Sequence, residues 1–324
     1  MKATLIVPYF GTLPNYFQLF LDSCVVNEGY QWLIITDDDR AFRYPENVQV
    51  LRMTFAECKE YVQKKFDFPI ALDAPFKLCD FRCAYGYIFQ EFLQESDWWG
   101  HCDLDQIFGN LNHFITPEML ENFDKIFCLG HLTLYRNTGD NNLMFTQKLN
   151  GKERYREVFT TPVGCGFDEW MPGSINEIYQ QGNKRVHWEN LGADINPYKT
   201  AFAVTYYDLQ DKVYKNRRNR NSVFYWDNGD LYQMFKENGQ MKKVEYPYIH
   251  LQKRAMKDKR KASGERNFYI VPNSFVDGRF SVDRLLRRAF IWRIVNYQYF
   301  LVKKSSFLAR CKSKNWKRVN VFKK

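Results

Sequence analysis

The chain has 324 residues, 45% of them hydrophobic and 18% aromatic, with a formal net charge of +10. That apolar content can fill a substantial core and excludes a disordered chain. Residues 281–324 hold 13 Lys/Arg against one acid, Asp283, so this tail carries +12 and residues 1–280 carry −2, which argues against a nucleic-acid-binding surface spread over the body.

The eight cysteines, at 24, 58, 79, 83, 102, 128, 165 and 311, show no CxxC spacing and read as reduced, mostly buried small hydrophobes of a cytoplasmic protein. Lys2 and the apolar run Ala3 to Phe10 could be mistaken for a secretion signal, but Pro8 and the Gly11–Pro14 turn break the run early. No uncharged apolar stretch approaches the roughly 20 residues that span a bilayer.

In chain order, Thr4-Leu5-Ile6-Val7 before Pro8-Tyr9 predicts a parallel core strand ending in a turn. Asn15 to Val26 predicts a helix, and Trp32-Leu33-Ile34-Ile35 a second strand that ends at Thr36-Asp37-Asp38-Asp39. In an open α/β sheet, ligands bind beyond the carboxyl ends of strands, so these acids are either ligand contacts or a solvated loop. A helix is expected from Asp73-Ala74-Pro75, with Asp73 as its cap and Leu78, Phe81, Tyr85, Ile88 and Phe92 as its buried face. Lys77 and Asp80, three apart and near Arg82, form either a surface ion pair or the polar lining of a cleft.

The run Trp98-Trp99-Gly100-His101-Cys102 then leads into Asp103-Leu104-Asp105. Two carboxylates at the end of a core strand suit a hard divalent cation held against a nucleotide diphosphate, and an acidic turn is the plain alternative. Ile126 to Leu129 predicts another strand. Residues 139–200 are loop-rich, with Gly164-Cys165-Gly166-Phe167-Asp168-Glu169-Trp170 as their most distinctive stretch. Val223 to Trp226 and Leu231-Tyr232, around Asp227-Asn228-Gly229-Asp230, predict a hairpin. Val244 to Leu251 reads as one strand carrying His250, followed by Gln252-Lys253-Arg254.

Together these pieces resemble a nucleotide-sugar glycosyltransferase of the GT-A fold, the metal-dependent DXD type, with the closest likeness to bacterial transferases of surface polysaccharide synthesis. The resemblance covers residues 3–255 and rests on four matches in order: Val7-Pro8-Tyr9-Phe10 with Thr36-Asp37-Asp38; Lys77 to Arg82 with Tyr85-Gly86; Trp99 to Asp105 with Phe108-Gly109; and Tyr248 to Arg254. It implies a GT-A-like α/β domain over residues 1–280, with a Rossmann-like, mostly parallel central sheet flanked by helices. It implies transfer of a hexose from a nucleotide-diphosphate sugar to a glycan or lipid-linked glycan.

By the same resemblance, Asp105 ligates the metal, Asp103 contacts the ribose or reaches the metal through water, and His250 is the third ligand. An imidazole ligand favours Mn²⁺ over Mg²⁺. Lys253 is expected on the diphosphate, and Pro8, Tyr9, Asp37, Asp38, Lys77, Asp80, Arg82 and Asp103 on the nucleotide side. Asp168 or Glu169 is the candidate proton acceptor for the acceptor hydroxyl. His131 and Arg136 are candidates for the sugar pocket, or else a packed histidine and a solvated arginine. Inverting and retaining chemistry both stay open. A metal-dependent nucleotidyltransferase is the rival enzyme, although Pro8-Tyr9-Phe10-Gly11 supplies only one glycine and no basic residue for a phosphate loop. A non-catalytic glycan-binding or scaffold protein is the rival from another class.

The tail mixes Arg284, Arg287, Arg288 and Arg293 with Leu285, Leu286, Phe290, Ile291, Trp292, Tyr297 and Phe300, then Lys303 and Lys304. That composition suits attachment of residues 284–324 to an anionic membrane surface, here the inner face of the cell membrane, and nucleic acid is not the expected partner.

Overall fold

The computed structural model describes residues 1–217, 221–252, 254–261 and 266–312. β1 (Ala3–Pro8), β2 (Tyr30–Thr36) and β3 (Val48–Arg52) are parallel neighbours, and β1 also pairs in parallel with β4 (Trp98–Cys102). The near-continuous apolar sequences of β1, β2 and β4 follow from burial on both faces, whereas the edge strand β3 leaves Gln49 and Arg52 exposed. Ile6, Leu33 and Ile35 enter one core, whereas Leu5, Val7, Trp32 and Ile34 enter another, which the helix Phe17–Cys24 covers with Phe17, Phe20 and Leu21.

After β4 the chain turns through Asp103–Asp105 into β5 (Gln106–Phe108), which joins a different sheet. β6 (Lys125–Leu129) and β7 (Leu132–Arg136) form a hairpin, and β8 (Val186–His187) closes the first sheet in the order β3-β2-β1-β4-β7-β6-β8. β9 (Ala193–Ile195), β10 (Val204–Asp208) and β11 (Val213–Asn216) lie in the second sheet. β12 (Ser222–Asp227), β13 (Asp230–Glu237) and β14 (Gln240–Glu245) form an antiparallel meander in the third. β15 (Tyr248–His250) returns to the second sheet, and β16 (Lys257–Asp258), β17 (Asn267–Val271) and β18 (Ser274–Asp277) complete the third. The orders are β11-β10-β9-β15-β5 and β14-β13-β12-β17-β18-β16.

This corrects the expected fold class. The protein is a mixed α/β chain with three mixed sheets rich in antiparallel strands, not a GT-A-like, Rossmann-like domain built on a mostly parallel central sheet. The connections decide it. Gly130-His131, Asn228-Gly229 and Asn238-Gly239 are two-residue links, which join only antiparallel neighbours. Asn228 and Asn238 take φ of 52° and 51° and their glycines 112° and 78°, the left-handed backbone that tight hairpins require.

Three smaller expectations also shift. The segment from Pro75 winds tightly, with three residues per turn, as far as Ala84 before a short α-helical turn Tyr85–Ile88. Ala74 occupies its cap position, and Asp73 instead meets Lys59 at 2.8 Å. The single strand expected over Val244 to Leu251 breaks at Pro247, which has no N–H for a ladder, so that β14 and β15 belong to different sheets.

In the tail, the helices Val282–Ile294 and Gln298–Lys312 follow the third sheet, and the first buries Leu285, Leu286 and Ala289 against Val223, Tyr269 and Val276. No helix among the described residues is long and apolar enough to cross a membrane.

Candidate metal site

The site forms where the first two sheets meet. β4 delivers Asp103 and Asp105 at its carboxyl end, and β5 pairs antiparallel with β15, setting Gln106 opposite His250. β15 pairs on its other side with β9 in parallel, setting His250 opposite Asp194. Two strand registers therefore gather polar side chains from three segments far apart in sequence, at 103–106, 194 and 250.

His250 Nε2 lies 3.1 Å from Asp105 Oδ1 and 3.5 Å from Asp103 Oδ2, while its Nδ1 lies 2.8 Å from Asp194 Oδ1. Burial alone would lower the His250 pKa, but the carboxylates of Asp105 and Asp194 raise it well above the ordinary imidazole value. Asp194 is held low against the upward push of its own burial, chiefly by the hydrogen bond with His250. Gln252, at φ 41°, donates from Nε2 to the same Asp194 oxygen at 2.6 Å.

The donor set fits a divalent cation. One ligand atom from each of Asp103, Asp105 and His250 falls within 4.8 Å of the others, and Asp194 on Nδ1 orients the ring so that Nε2 faces both carboxylates. Asp103 and Asp105 keep 29% and 26% of their side-chain surface, which leaves an open side for a substrate. His131, Asp194 and His250 make a second possible trio, but all three are buried and leave no such side.

Around this centre, Arg82 pairs with Asp103, with Asp168 Oδ2 at 2.9 Å and with the Gly130 carbonyl at 2.8 Å. Glu169 Oε1 accepts from the Gly130 N–H at 3.0 Å and Oε2 from the Tyr214 hydroxyl at 2.8 Å. Burial pushes Asp168 up to about 6 against the pull of Arg82, and burial with the Asp168 charge pushes Glu169 up to about 8. A β-carbon on Gly130 would collide with Asp168 and lie 2.9 Å from Arg82 Nη1, so the close approach of these charges requires glycine.

Pro8, Tyr9, Arg82 and Asp103 share a cavity of about 340 Å³ at the carboxyl ends of β1 and β4. Asp37 and Asp38 do not line it. They brace the loop after β1, accepting from the Gly11 N–H at 2.7 Å and the Leu13 N–H at 2.8 Å, and Asp38 also pairs with Arg40. Lys77 and Asp80 also point elsewhere. Lys77 Nζ meets Asp80 at 2.7 Å and the carbonyls of Val158 and Val163 at 2.9 Å, and Asp80 accepts from the Cys165 and Phe167 N–H groups. This buried pair therefore fixes the loop that carries Asp168 and Glu169. Lys253 lies outside the described residues.

The His131 ring lies 4.7 Å from that of His250, tilted by 32°, and meets the Tyr248 hydroxyl at 3.1 Å. Burial lowers its pKa to about 4, and its Nε2 has no hydrogen-bond partner among the described residues. Arg136 bonds the carbonyls of Leu120, Glu121 and Phe123 at the end of the helix Pro117–Asn122. Sequence reasoning missed Asp194 and Tyr214. The available signal was a carboxylate between apolar neighbours, Ala193-Asp194-Ile195, because a buried acid needs a partner.

A family model described as a family of unknown function (DUF6625) matches residues 5–279, and the chain belongs to that family. No curated protein and no solved structure matches it.

Proposed function

We propose that the protein is a metal-dependent glycosyltransferase that moves a hexose from a nucleotide-diphosphate sugar to a glycan or lipid-linked glycan. The observation that carries this reading is the partly open Asp103, Asp105 and His250 cluster, oriented by Asp194 and bordered by a cavity that Arg82 and Tyr9 also line. A divalent cation held there, Mn²⁺ in preference to Mg²⁺ because of the imidazole, supplies positive charge against the leaving diphosphate. Arg82 adds fixed charge beside it, preorganised by Asp168 and the Gly130 carbonyl. Glu169 in its deprotonated form is the proton acceptor for the incoming hydroxyl, held in place by the Gly130 N–H and the Tyr214 hydroxyl, and because burial raises its pKa to about 8, turnover should rise with pH toward that value. The deciding experiment is donor hydrolysis across nucleotide sugars with Mn²⁺. One donor should be hydrolysed, and Asp105→Ala should abolish that turnover. A folded Asp105→Ala protein with near-normal turnover removes the assignment.

The same reading puts the enzyme at an anionic membrane surface. In the two tail helices Phe290, Ile291, Ile294, Phe300 and Phe307 are exposed by 51%, 57%, 72%, 70% and 65%, among Arg284, Arg287, Arg288, Arg293, Lys303 and Lys304. Apolar side chains that enter the headgroup region among cations matched to anionic lipid support reversible attachment, which suits a lipid-linked acceptor.

A further inference from the structure

A second cavity, of about 330 Å³, lies beside the site and shares no lining residue with the cavity under Tyr9 and Arg82. Trp188, Glu189, Asn190, Tyr206, Tyr207 and Asp208 line it. Its wall is aromatic and ordered. The Trp170 and Tyr207 rings stack at 5.5 Å with 4° between planes, Trp188 meets Trp170 at 5.1 Å, and Tyr214 meets Tyr207 edge-on at 5.1 Å. None of these four residues is fully buried, so large apolar faces are left at the surface in one place.

The polar groups around the wall are of a particular kind. Asn190 Oδ1 is occupied by the Tyr248 hydroxyl and the Gly192 N–H, but its Nδ2 is buried with no hydrogen-bond partner among the described residues. Such a donor is costly to leave unmade. Glu189 and Asp208 contribute carboxylates, that of Asp208 already paired with Lys215 at 2.8 Å, and Arg217 lies over the Tyr206 ring at 5.9 Å. With Asp208 matched by Lys215, Glu189 and Arg217 leave the rim without the net positive charge that a phosphate-bearing ligand would need. An aromatic wall with a negative face, ringed by hydrogen-bonding groups, instead suits a neutral molecule with an apolar C–H face and hydroxyls around its edge.

Two routes tie this cavity to the reaction centre. Tyr214, packed on Tyr207, donates to Glu169 at 2.8 Å. Asn190 connects through the Tyr248 hydroxyl at 2.8 Å to His131 at 3.1 Å, and the His131 ring packs against that of His250.

We propose that this cavity is the acceptor subsite and takes one or two rings of a neutral saccharide, with Trp188 and Tyr207 as its stacking platform and Asn190 Nδ2 as a donor to a ring hydroxyl. The inference rests on the transferase reading for the word acceptor, while saccharide binding itself does not. The test titrates the full chain with maltose, cellobiose, lactose and chitobiose, following tryptophan fluorescence and confirming by calorimetry. At least one saccharide should bind, at least tenfold more weakly to Trp188→Ala and Tyr207→Ala, with affinity retained in Trp188→Phe and in Asp105→Ala. Circular dichroism on each variant checks that it is folded. If no saccharide binds the wild type, or if the folded Trp188→Ala and Tyr207→Ala variants bind as the wild type does, the subsite is wrong. If Trp188→Ala instead weakens UDP or GDP, the cavity is a base pocket and the inference also fails. Failure of the transferase reading registers separately, as absence of donor hydrolysis by wild-type protein that still binds the saccharide.

Discussion

Two constellations of charged side chains flank the loop 163–169 and are built on opposite plans. Lys77 and Asp80 are 1% exposed each, and every charged atom of the pair is met by protein: two carbonyls on the ammonium, two backbone N–H groups on the carboxylate. Asp103 and Asp105 are partly open over the buried His250, and with Asp168, Glu169 and Asp194 they gather five carboxyl groups around one guanidinium and one imidazole. A buried ion pair matched within the protein holds a loop in place. An open cluster with surplus negative charge suits the cation proposed for it.

The largest effect expected from this contrast is on folding. Asp80→Ala leaves Lys77 as an uncompensated buried cation, and breaking such a pair costs about 3–5 kcal/mol. Urea denaturation should show a loss of that order, whereas a change near zero would mean the pair is not a structural anchor. Gly130→Ala comes next, because its methyl group meets Asp168 and Arg82 at once. Overpacking of this kind costs about 1–3 kcal/mol, and turnover should fall more than stability does. A fully active Gly130→Ala protein would show that Arg82, Asp168 and Glu169 need not be so close.

A smaller, pH-dependent effect belongs to Glu169. Its pKa is raised from 4.5 to about 8, first by burial and then by Asp168. The folded state therefore keeps a proton that the unfolded chain has already released, so stability falls as pH rises through the window from 4.5 to about 8. Glu169→Gln should flatten that part of the stability profile, and an unchanged slope would place the titration elsewhere. The smallest effect on the body concerns the tail. Phe290→Ser, Ile294→Ser, Phe300→Ser and Phe307→Ser together should abolish sedimentation with anionic vesicles and leave the urea midpoint unchanged. These substitutions test attachment better than truncation near Asp277, which would uncover Val223, Tyr269 and Val276.

Much of the local structure was legible because burial leaves a simple trace. Thr4 to Val7 and Trp32 to Ile35 are strands because a strand covered on both faces has no polar position, and Asn228-Gly229 marks its hairpin by backbone demand. Sheet direction was not legible from the strands, because the connections set it. The two-residue link Gly130-His131 turns β6 and β7, near-continuous apolar strands whose pattern suits a parallel sheet, into antiparallel neighbours. Within the site, Asp103, Asp105 and His250 were legible as an ordered set of motifs. Asp194 was not, since its role comes from the parallel register of β9 on β15, which no local spacing encodes. Lys77 and Asp80 looked the same in sequence whether they faced a cleft or a loop, and only packing against Val158, Val163 and Cys165 separates the two.

The most direct test is calorimetric titration of the full chain with Mn²⁺, for wild type, Asp105→Asn and His250→Ala, each checked for an intact thermal transition. A single site is expected in the wild type, weakened at least tenfold in both variants, with the wild-type transition moving up as Mn²⁺ is added. Equal Mn²⁺ affinity in wild type and both folded variants would contradict the assignment of Asp105 and His250 as a shared cation site.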